Sequence, residues 1–172
     1  MDPYLKLVKD TIEAYLKTNQ IPPLPKDLSQ EMLKKKAGVF VSIHKKSGEL
    51  RGCIGTFLPT KSNLALEIIT NAISSATQDP RFSPINEKEL DSLTYSVDIL
   101  SSPKPAPRKQ VNPKKYGLIV IAEDGRKGLL LPDLPGVDTS EQQIAICRQK
   151  AGIGPKEKVK FQTFTVERHG VK

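Results

Sequence analysis

The sequence predicts an α+β fold built by duplication. Strand patterns and amphipathic helix patterns follow one another in the same order twice: a β-hairpin, a helix and a single strand. A further amphipathic stretch precedes the first unit, and a segment with three prolines at 101–107 separates the two. We therefore expect a single domain with a helical segment at 1–37, a first repeat at 38–107 and a second repeat at 108–172.

The N-terminal segment is predicted to form two helices. Apolar residues recur on one stripe of 3–18, while lysines and aspartate occupy the rest of that helix. The proline-rich connector at 21–25 ends it, because proline cannot continue a helix. A short helix over 28–35 then follows, with Asp27 as its N-cap.

Each repeat has its own predicted elements. The first contains strands at 39–44 and 50–55, a helix at 63–78 capped by Thr60 or Ser62 and ended by Pro80, and a strand at 93–100. The second contains strands at 117–121 and from 128 onward, joined by a turn at Asp124–Gly125, then a helix at 140–151 and a strand at 159–167.

Composition and charge restrict the class of protein. Hydrophobic residues make up 37% of the chain and aromatic residues only 5%, so the core must be mainly aliphatic. No apolar run is long enough to cross a bilayer, and the N-terminus lacks the profile of a signal peptide. The two cysteines lie far apart, which predicts a cytoplasmic protein without disulfides. The net charge of +8 admits a nucleic acid or an anionic small ligand, although the basic residues are spread out without interleaved aromatics.

The most informative stretch is Leu50–Thr56, with the sequence LRGCIGT. Its cysteine lies between two glycines, and glycine in a strand indicates that other groups approach the backbone closely. Arg51 and Cys53 are two residues apart, so both should project from one face, where a cation favours the reactive thiolate. The alternative is a structural cysteine, because free cysteine often packs as a small core residue. The second hairpin has only leucines at the corresponding place, which favours a functional role for the motif.

The register of the first hairpin determines what faces Cys53. Matching the apolar faces of the two strands requires an even-numbered loop. A two-residue loop sets Cys53 opposite Ser42. In that register Arg51 lies opposite His44, whereas a four-residue loop sets Cys53 opposite Phe40. His44 shares the face of Cys53 in both registers but never lies directly across from it, so we interpret it as an exposed polar residue near the turn.

Charged residues after the helix are the next candidates. Asp79 and Arg81 flank Pro80, and a carboxylate–guanidinium pair there can orient an anion or anchor the loop. The structural alternative is that Asp79 caps the helix or pairs with Arg51 or Arg81. Glu167, near the end of the last strand, is a weaker candidate.

The remaining thiol and the histidines carry no predicted chemistry. Cys147 shares an apolar stripe of the second helix, so it is predicted to pack. The two histidines and two cysteines form no metal-ligand spacing, and no P-loop sequence follows the motif glycines. We therefore predict no metal and no cofactor.

Several further stretches accompany the LRGCIGT segment in a fixed order. They are Gly38–Val41, Asp79–Pro84, Glu89–Leu90, Tyr95–Val97, Leu129–Pro132 and Lys150–Gly152. On these residues the chain resembles the AMMECR-domain proteins, whose bacterial and archaeal members are called AmmeMemoRadiSam system protein A. The resemblance runs from about Gly38 to the C-terminus. It implies two repeats that share one curved, barrel-like, mostly antiparallel sheet with flanking helices.

The resemblance implies a site but no reaction, because the family has no firmly established activity, and enzyme status stays open. From the chemistry of its residues we expect a site that binds a small anionic or electrophilic ligand, with Cys53 as the candidate catalytic thiol and, as ligand-binding residues, Arg51, Gly52, Gly55, Thr56, Asp79, Arg81 and Phe82. The resemblance implies that the motif, Asp79, Arg81 and Phe82 form part of a cleft surface, without assigning catalytic roles to them. It also implies association with Memo-like proteins, which resemble extradiol dioxygenases, and with radical SAM enzymes. A non-catalytic protein-interaction module and a basic-surface nucleic-acid binder are the alternatives.

Overall fold

A computed structural model describes residues 1–170, so the last two residues of the predicted repeat 108–172 lie outside the described residues. Tertiary contacts divide the chain into two units. The first unit comprises Met1–Leu100 and the C-terminal segment from Glu167, and the second unit comprises Ser101–Val166. None of the helices within residues 1–170 has the length and apolarity needed to cross a bilayer.

The predicted helices and strands occur in the predicted order, and one further strand lies in the segment that was predicted to separate the repeats. Between residues 1 and 170 they are α1 (Pro3–Thr18), α2 (Gln30–Lys34), β1 (Val39–Lys45), β2 (Leu50–Thr56), α3 (Leu64–Thr77), β3 (Leu93–Leu100), β4 (Lys104–Ala106), β5 (Gly117–Ala122), β6 (Lys127–Leu130), α4 (Ser140–Ala151), β7 (Val159–Phe164) and β8 (Val166–His169). Short 3₁₀ helices lie at Glu87–Ser92 and Arg108–Gln110.

Three local predictions are wrong. The cap of α2 is Ser29 and not Asp27, because the Ser29 hydroxyl accepts the Met32 N–H. The cap of α3 is Asn63, whose side chain accepts the Leu66 N–H, and neither Thr60 nor Ser62. The last predicted strand is two strands, because the backbone of Thr165 bonds Ser101 and interrupts it.

The first unit is a sheet of strand order β2-β1-β3-β8 with helices α1 and α3. Val39, Val41 and Ile43 of β1 are fully buried in the core that contains residues of both helices. Helix α1 begins where the Asp2 carboxylate accepts the first free N–H groups, those of Tyr4 and Leu5. The amphipathic helix at the N-terminus, α1, therefore packs its apolar side into this core.

The second unit is a separate sheet of strand order β4-β7-β5-β6 with α4. Leu118 and Val120 of β5 share a core with Ile144 and Cys147 of α4. A capping box starts α4, and Gly152 ends it in the left-handed conformation.

The predicted mixture of helices and antiparallel strands is confirmed, but the single barrel-like sheet is wrong. The strands form two four-stranded sheets, and within residues 1–170 neither sheet is closed. Each sheet has edge strands. In the first sheet, β2 bonds side chains at its outer edge. In the second sheet, the edge strand β4 contains Pro105, which has no N–H to donate to a further strand. In each sheet the first strand of the hairpin lies between the return strand of the hairpin and the strand that follows the helix, as in β2-β1-β3 and β6-β5-β7.

Candidate functional site

A row of buried polar side chains on α3 faces the motif strand. Glu67, Asn71 and Ser75 are spaced four residues apart and therefore lie on one side of the helix, and Asp79 follows at the same spacing just beyond its end. Each of the four is at most 4% exposed. The apolar stripe of this helix was predicted, but the polar row was not. The signal was a four-residue period of polar residues inside an apolar helix.

The row bonds the hairpin along its length. Thr56 donates to Glu67 (2.6 Å), Asn71 to the Val39 carbonyl (3.0 Å), Ser75 to the Val41 carbonyl (2.8 Å), the Ile54 amide to Ser75 (2.8 Å) and the Cys53 amide to Asp79 (2.9 Å). Burial acts to raise the pKa of the Glu67 carboxyl, but its hydrogen bonds outweigh burial and lower that pKa. The helix thus fixes the position of the motif strand through satisfied polar groups.

The hairpin register places Cys53 opposite Ser42, as the two-residue loop predicts. Leu50, however, lies opposite His44, so Arg51 is an extra residue in a β-bulge and the predicted pairing of Arg51 with His44 is wrong. Cys53 is partly exposed, and the buried Ser42 hydroxyl donates to its sulfur at 3.2 Å.

Asp79 and Arg81 together hold the outer edge of β2 at Cys53. The Asp79 carboxylate accepts the Cys53 N–H, and Arg81 Nη2 donates to the Cys53 carbonyl at 3.3 Å. Arg81 also donates to Asp79 from Nε at 3.0 Å and from Nη2 at 2.7 Å. This guanidinium holds the pKa of the Asp79 carboxyl well below its usual range. Arg51 and Arg81 were the two predicted partners of Asp79, and the structure pairs it with Arg81.

Arg81 retains an outward-facing donor. Its side chain is 56% exposed, against 2% for that of Asp79. The hydrogen bonds formed within the described part of the chain use its Nε and Nη2, and none uses Nη1. The guanidinium carbon lies 5.4 Å from the centre of the Phe82 ring, which limits its movement. The structure therefore brings Cys53, Asp79, Arg81 and Phe82 into one region with a donor available to an anion.

Arg51 is not part of this region. Its guanidinium makes a two-point ion pair with Glu89, at 2.8 Å and 3.0 Å, and donates to the Ser83 carbonyl at 2.8 Å. The residue is only 8% exposed. The bulge explains the difference from the expected face shared with Cys53, because the extra residue breaks the two-residue alternation. Glu89 belongs to one of the stretches that carry the family resemblance, but its ion pair with Arg51 was not predicted.

The motif glycines and Thr56 are accounted for by packing. A Cβ on Gly52 would lie 2.2 Å from the Ser75 carbonyl oxygen, and one on Gly55 would lie 2.3 Å from the Phe40 ring. Thr56 uses its hydroxyl hydrogen on Glu67. The close approach predicted for the glycines is confirmed, and the approaching groups are a helix backbone and a side chain of the hairpin.

The other candidates lie elsewhere. His44 is half-buried and not exposed as predicted. Glu167 pairs with Lys35 at 3.6 Å and with His169 at 3.2 Å. Cys147 is fully buried as predicted, and burial raises the pKa of its thiol to about 12. Among residues 1–170, no three His, Cys, Asp or Glu side chains come together as a metal-ligand cluster.

The chain is similar over almost its whole length to bacterial and archaeal proteins. The profile of the family described as AMMECR1 matches residues 5–169. A protein of Thermotoga maritima is 50% identical over 169 residues, with 97% of each chain covered. A protein of Clostridium acetobutylicum is 46% identical over 169 residues, which are 98% of this chain but only 36% of that protein. The crystal structure of an uncharacterised protein from Pyrococcus horikoshii matches with a TM-score of 0.85 at 35% identity, covering 96% of this chain and 88% of that one.

Proposed function

We propose that this chain, which belongs to the AMMECR1 family, binds a small anionic or electrophilic ligand beside Cys53. The Cys53 thiol is the reacting group in this proposal, and Arg81 is the anion-binding group. The main support is that the fold itself does not require the thiol, and this is seen by comparing corresponding positions of the two units.

The correspondence rests on shared helix–strand contacts, and we attribute it to the predicted duplication. In the first unit, Asn71 donates to the Val39 carbonyl (3.0 Å) and Ser75 to the Val41 carbonyl (2.8 Å). In the second unit, Gln143 donates to the Tyr116 carbonyl (2.9 Å) and Cys147 to the Leu118 carbonyl (3.6 Å). In each unit the two donors are four helix residues apart, and the acceptors belong to the first strand or to the residue before it. In both units the helix also crosses a glycine of the return strand. A Cβ on Gly52 would lie 2.2 Å from the Ser75 carbonyl oxygen, and one on Gly128 would lie 1.8 Å from that of Cys147.

The thiol and the Asp79–Arg81 ion pair of the first unit are absent from the matched positions of the second, although one contact recurs: Lys150 Nζ donates to the Leu129 carbonyl at 2.7 Å, as Arg81 does to the Cys53 carbonyl. Counting from the matched glycines, the position of Cys53 is occupied by Leu129. Counting from the matched helix residues, the position of Asp79 is occupied by Ala151, and that of Arg81 by Ile153. The second unit therefore forms the same helix–hairpin packing without a thiol. The ion pair holds the edge of β2, but the partly exposed thiol adds nothing that this packing needs, which favours a role of Cys53 in binding or chemistry.

The geometry supports nucleophilic chemistry of a simple kind. The Cys53 sulfur is partly exposed, and Arg81 Nη1 is available to bind a carboxylate or phosphate on the approaching ligand. The thiolate attacks an electrophilic carbon, a carbon–sulfur bond forms, and the leaving group departs with the bonding electron pair.

Alkylation of the native protein tests this proposal, with anionic iodoacetate and neutral iodoacetamide as probes. We expect modification of Cys53 and none of Cys147, because burial keeps the second thiol protonated. The ratio of the iodoacetate rate to the iodoacetamide rate should fall about three- to fivefold in Arg81→Met, since one exposed cation is removed. Arg126→Met is the matched control, because Arg126 is also paired with a carboxylate two residues earlier. An equal ratio in the two variants would contradict the role of Arg81, and modification of Cys53 no faster than in the unfolded chain would contradict the reactive thiol.

Association with Memo-like and radical SAM proteins is the proposed setting of this site. The family resemblance supports it. We also place the protein in the cytoplasm, on the basis of its two free cysteines. A pull-down of the two enzymes from the same genome should retain both, and loss of both at high protein concentration would contradict association.

One observation favours a second candidate function, binding of nucleic acid by the second unit. Ser101–Val166 contains twelve lysines and arginines and six acidic residues, so its net charge of +6 is three quarters of the +8 of the chain. A mobility shift of RNA or DNA at low salt that is lost on raising the salt would support this function. Unchanged mobility at low salt would exclude it.

A further inference from the structure

We propose a second ligand site, separate from Cys53, that takes an amphipathic anion with an apolar body. The site is a cavity of about 790 Å³ in the first unit, between the start of α1, the β1–β2 turn and the start of β3. We call it the turn cavity; the lining residues that carry the argument are Leu5, Lys9, Lys46, Leu90, Leu93 and Tyr95. Its volume lies within the range of small-molecule pockets.

The wall of the turn cavity is apolar but contains one unsatisfied polar atom. Leu5, Leu90 and Leu93 supply aliphatic surface, and Tyr95 supplies a ring. The Tyr95 hydroxyl is buried and forms no hydrogen bond within the described part of the chain. A buried hydroxyl without a partner is costly, and a ligand acceptor placed in the cavity would remove that cost.

The charged side chains that line the turn cavity are mostly basic. Three lysines and one aspartate, Asp91, line it. Lys45 pairs with Glu49 at 2.9 Å, and Lys9 pairs with Glu13 at 3.8 Å, so their charges are partly neutralised. Lys46 makes no ion pair with any residue from 1 to 170 and is therefore the cation best able to bind the charged end of a ligand. An apolar body with one carboxylate or sulfonate group fits this distribution of charge.

Fluorescence titration of the native protein tests the site, with anilinonaphthalene sulfonate as the anionic probe and N-phenyl-naphthylamine as its uncharged analogue. We expect one sulfonate site, tighter than binding of the neutral analogue. Lys46→Met should weaken the sulfonate about three- to fivefold, since it removes one exposed charge. Tyr95→Phe should weaken it about two- to tenfold, since it removes one hydrogen bond.

Two control variants make the result decisive. Lys36→Met removes a lysine that does not line the turn cavity, and Cys53→Ser changes the other proposed site, so neither should alter binding of the sulfonate. Thermal melts of all variants separate loss of binding from loss of fold. Equal effects of Lys46→Met and Lys36→Met, equal affinity for the neutral analogue, or weaker binding in Cys53→Ser would each overturn the proposal.

Discussion

Replacement of Asp79 by asparagine measures how strongly the carboxylate holds the edge of β2. Asp79 accepts four hydrogen bonds: Oδ1 from the backbone N–H and Nε of Arg81, and Oδ2 from the Cys53 N–H and Arg81 Nη2. Asparagine has one oxygen, so its amide nitrogen must face two of these donors, one of which is always a backbone N–H. An unsatisfied buried donor costs about 1–3 kcal/mol, and loss of the charged pair adds little because the Arg81 side chain is 56% exposed. We expect Asp79→Asn to lower the free energy of unfolding by about 2–3 kcal/mol.

Urea unfolding followed by circular dichroism measures this change, and the chain offers a matched control. Arg126 donates to Asp124 from its backbone N–H at 3.1 Å and from Nε at 2.7 Å, the same two-residue arrangement as Arg81 and Asp79. The Asp124 side chain is 56% exposed, so water can replace what Asp124→Asn removes. The unfolding midpoint of Asp124→Asn should stay unchanged. Equal shifts in the two variants would refute the assignment of Asp79 as the buried anchor of the edge.

The pH dependence of the difference in unfolding free energy between the natural protein and Asp79→Asn provides a second measurement. Hydrogen bonding to Arg81 lowers the pKa of Asp79 in the folded state below that in the unfolded chain. The resulting stabilisation is therefore fully present above about pH 4, the ordinary range of an aspartate, and is lost as the pH falls below it. The difference in stability between the natural protein and Asp79→Asn should be constant from about pH 7 to about pH 5 and then narrow. A difference that stays constant in acid would show that the Asp79 charge contributes nothing.

Four further substitutions or reactions follow from the packing around the motif. Gly52→Ala should lower the free energy of unfolding by about 2 kcal/mol or more in urea titrations, because its Cβ would lie 2.2 Å from the Ser75 carbonyl oxygen. Glu67→Gln should cost about 0.5–1.5 kcal/mol in the same assay, since its amide oxygen can keep the two backbone N–H donors while its amide nitrogen faces the hydroxyls of Thr56 and Thr60, which can accept. Arg51→Lys should cost about 1–2 kcal/mol because lysine cannot form the two-point pair with Glu89. Cys147 should remain unreactive toward Ellman's reagent at about pH 8 until the protein unfolds, and absorbance of the released thiolate would show any earlier reaction.

The fold was largely predictable because its signals are local. Apolar periods of two and of three to four residues locate the strands and helices, and the turn at Asp124–Gly125 locates the second hairpin. The separation into two sheets was not predictable in this way. Edge strands are decided by which backbone groups find partners across the fold, and at Cys53 these partners are side chains that follow α3.

The candidate site was predictable in its residue types but not in its pairings. Regular alternation along a strand predicts that Arg51 and Cys53 share one face, but a single bulged residue breaks that alternation. The polar row on α3 could have been found, because Glu67, Asn71 and Ser75 interrupt an apolar helix at a fixed spacing. Sequence alone gives no measure of burial, so it does not distinguish such a row from a solvated helix face.

The structure divides the motif into positions that hold the fold and one position that does not. Arg51 completes an ion pair, Gly52 and Gly55 make room for a helix backbone and an aromatic ring, and Thr56 anchors a buried carboxylate. Cys53 contributes its backbone groups to the edge of the sheet, and any residue except proline would supply these equally well. Its side chain, which leucine replaces at the corresponding place in the second unit, is thus the part of LRGCIGT that packing leaves unexplained. Cys53→Ser should therefore abolish alkylation while leaving the urea midpoint close to that of the natural protein, whereas Gly52→Ala should lower the midpoint. If Cys53→Ser lowered the midpoint as much as Gly52→Ala does, the thiol would be one more packing group of the hairpin.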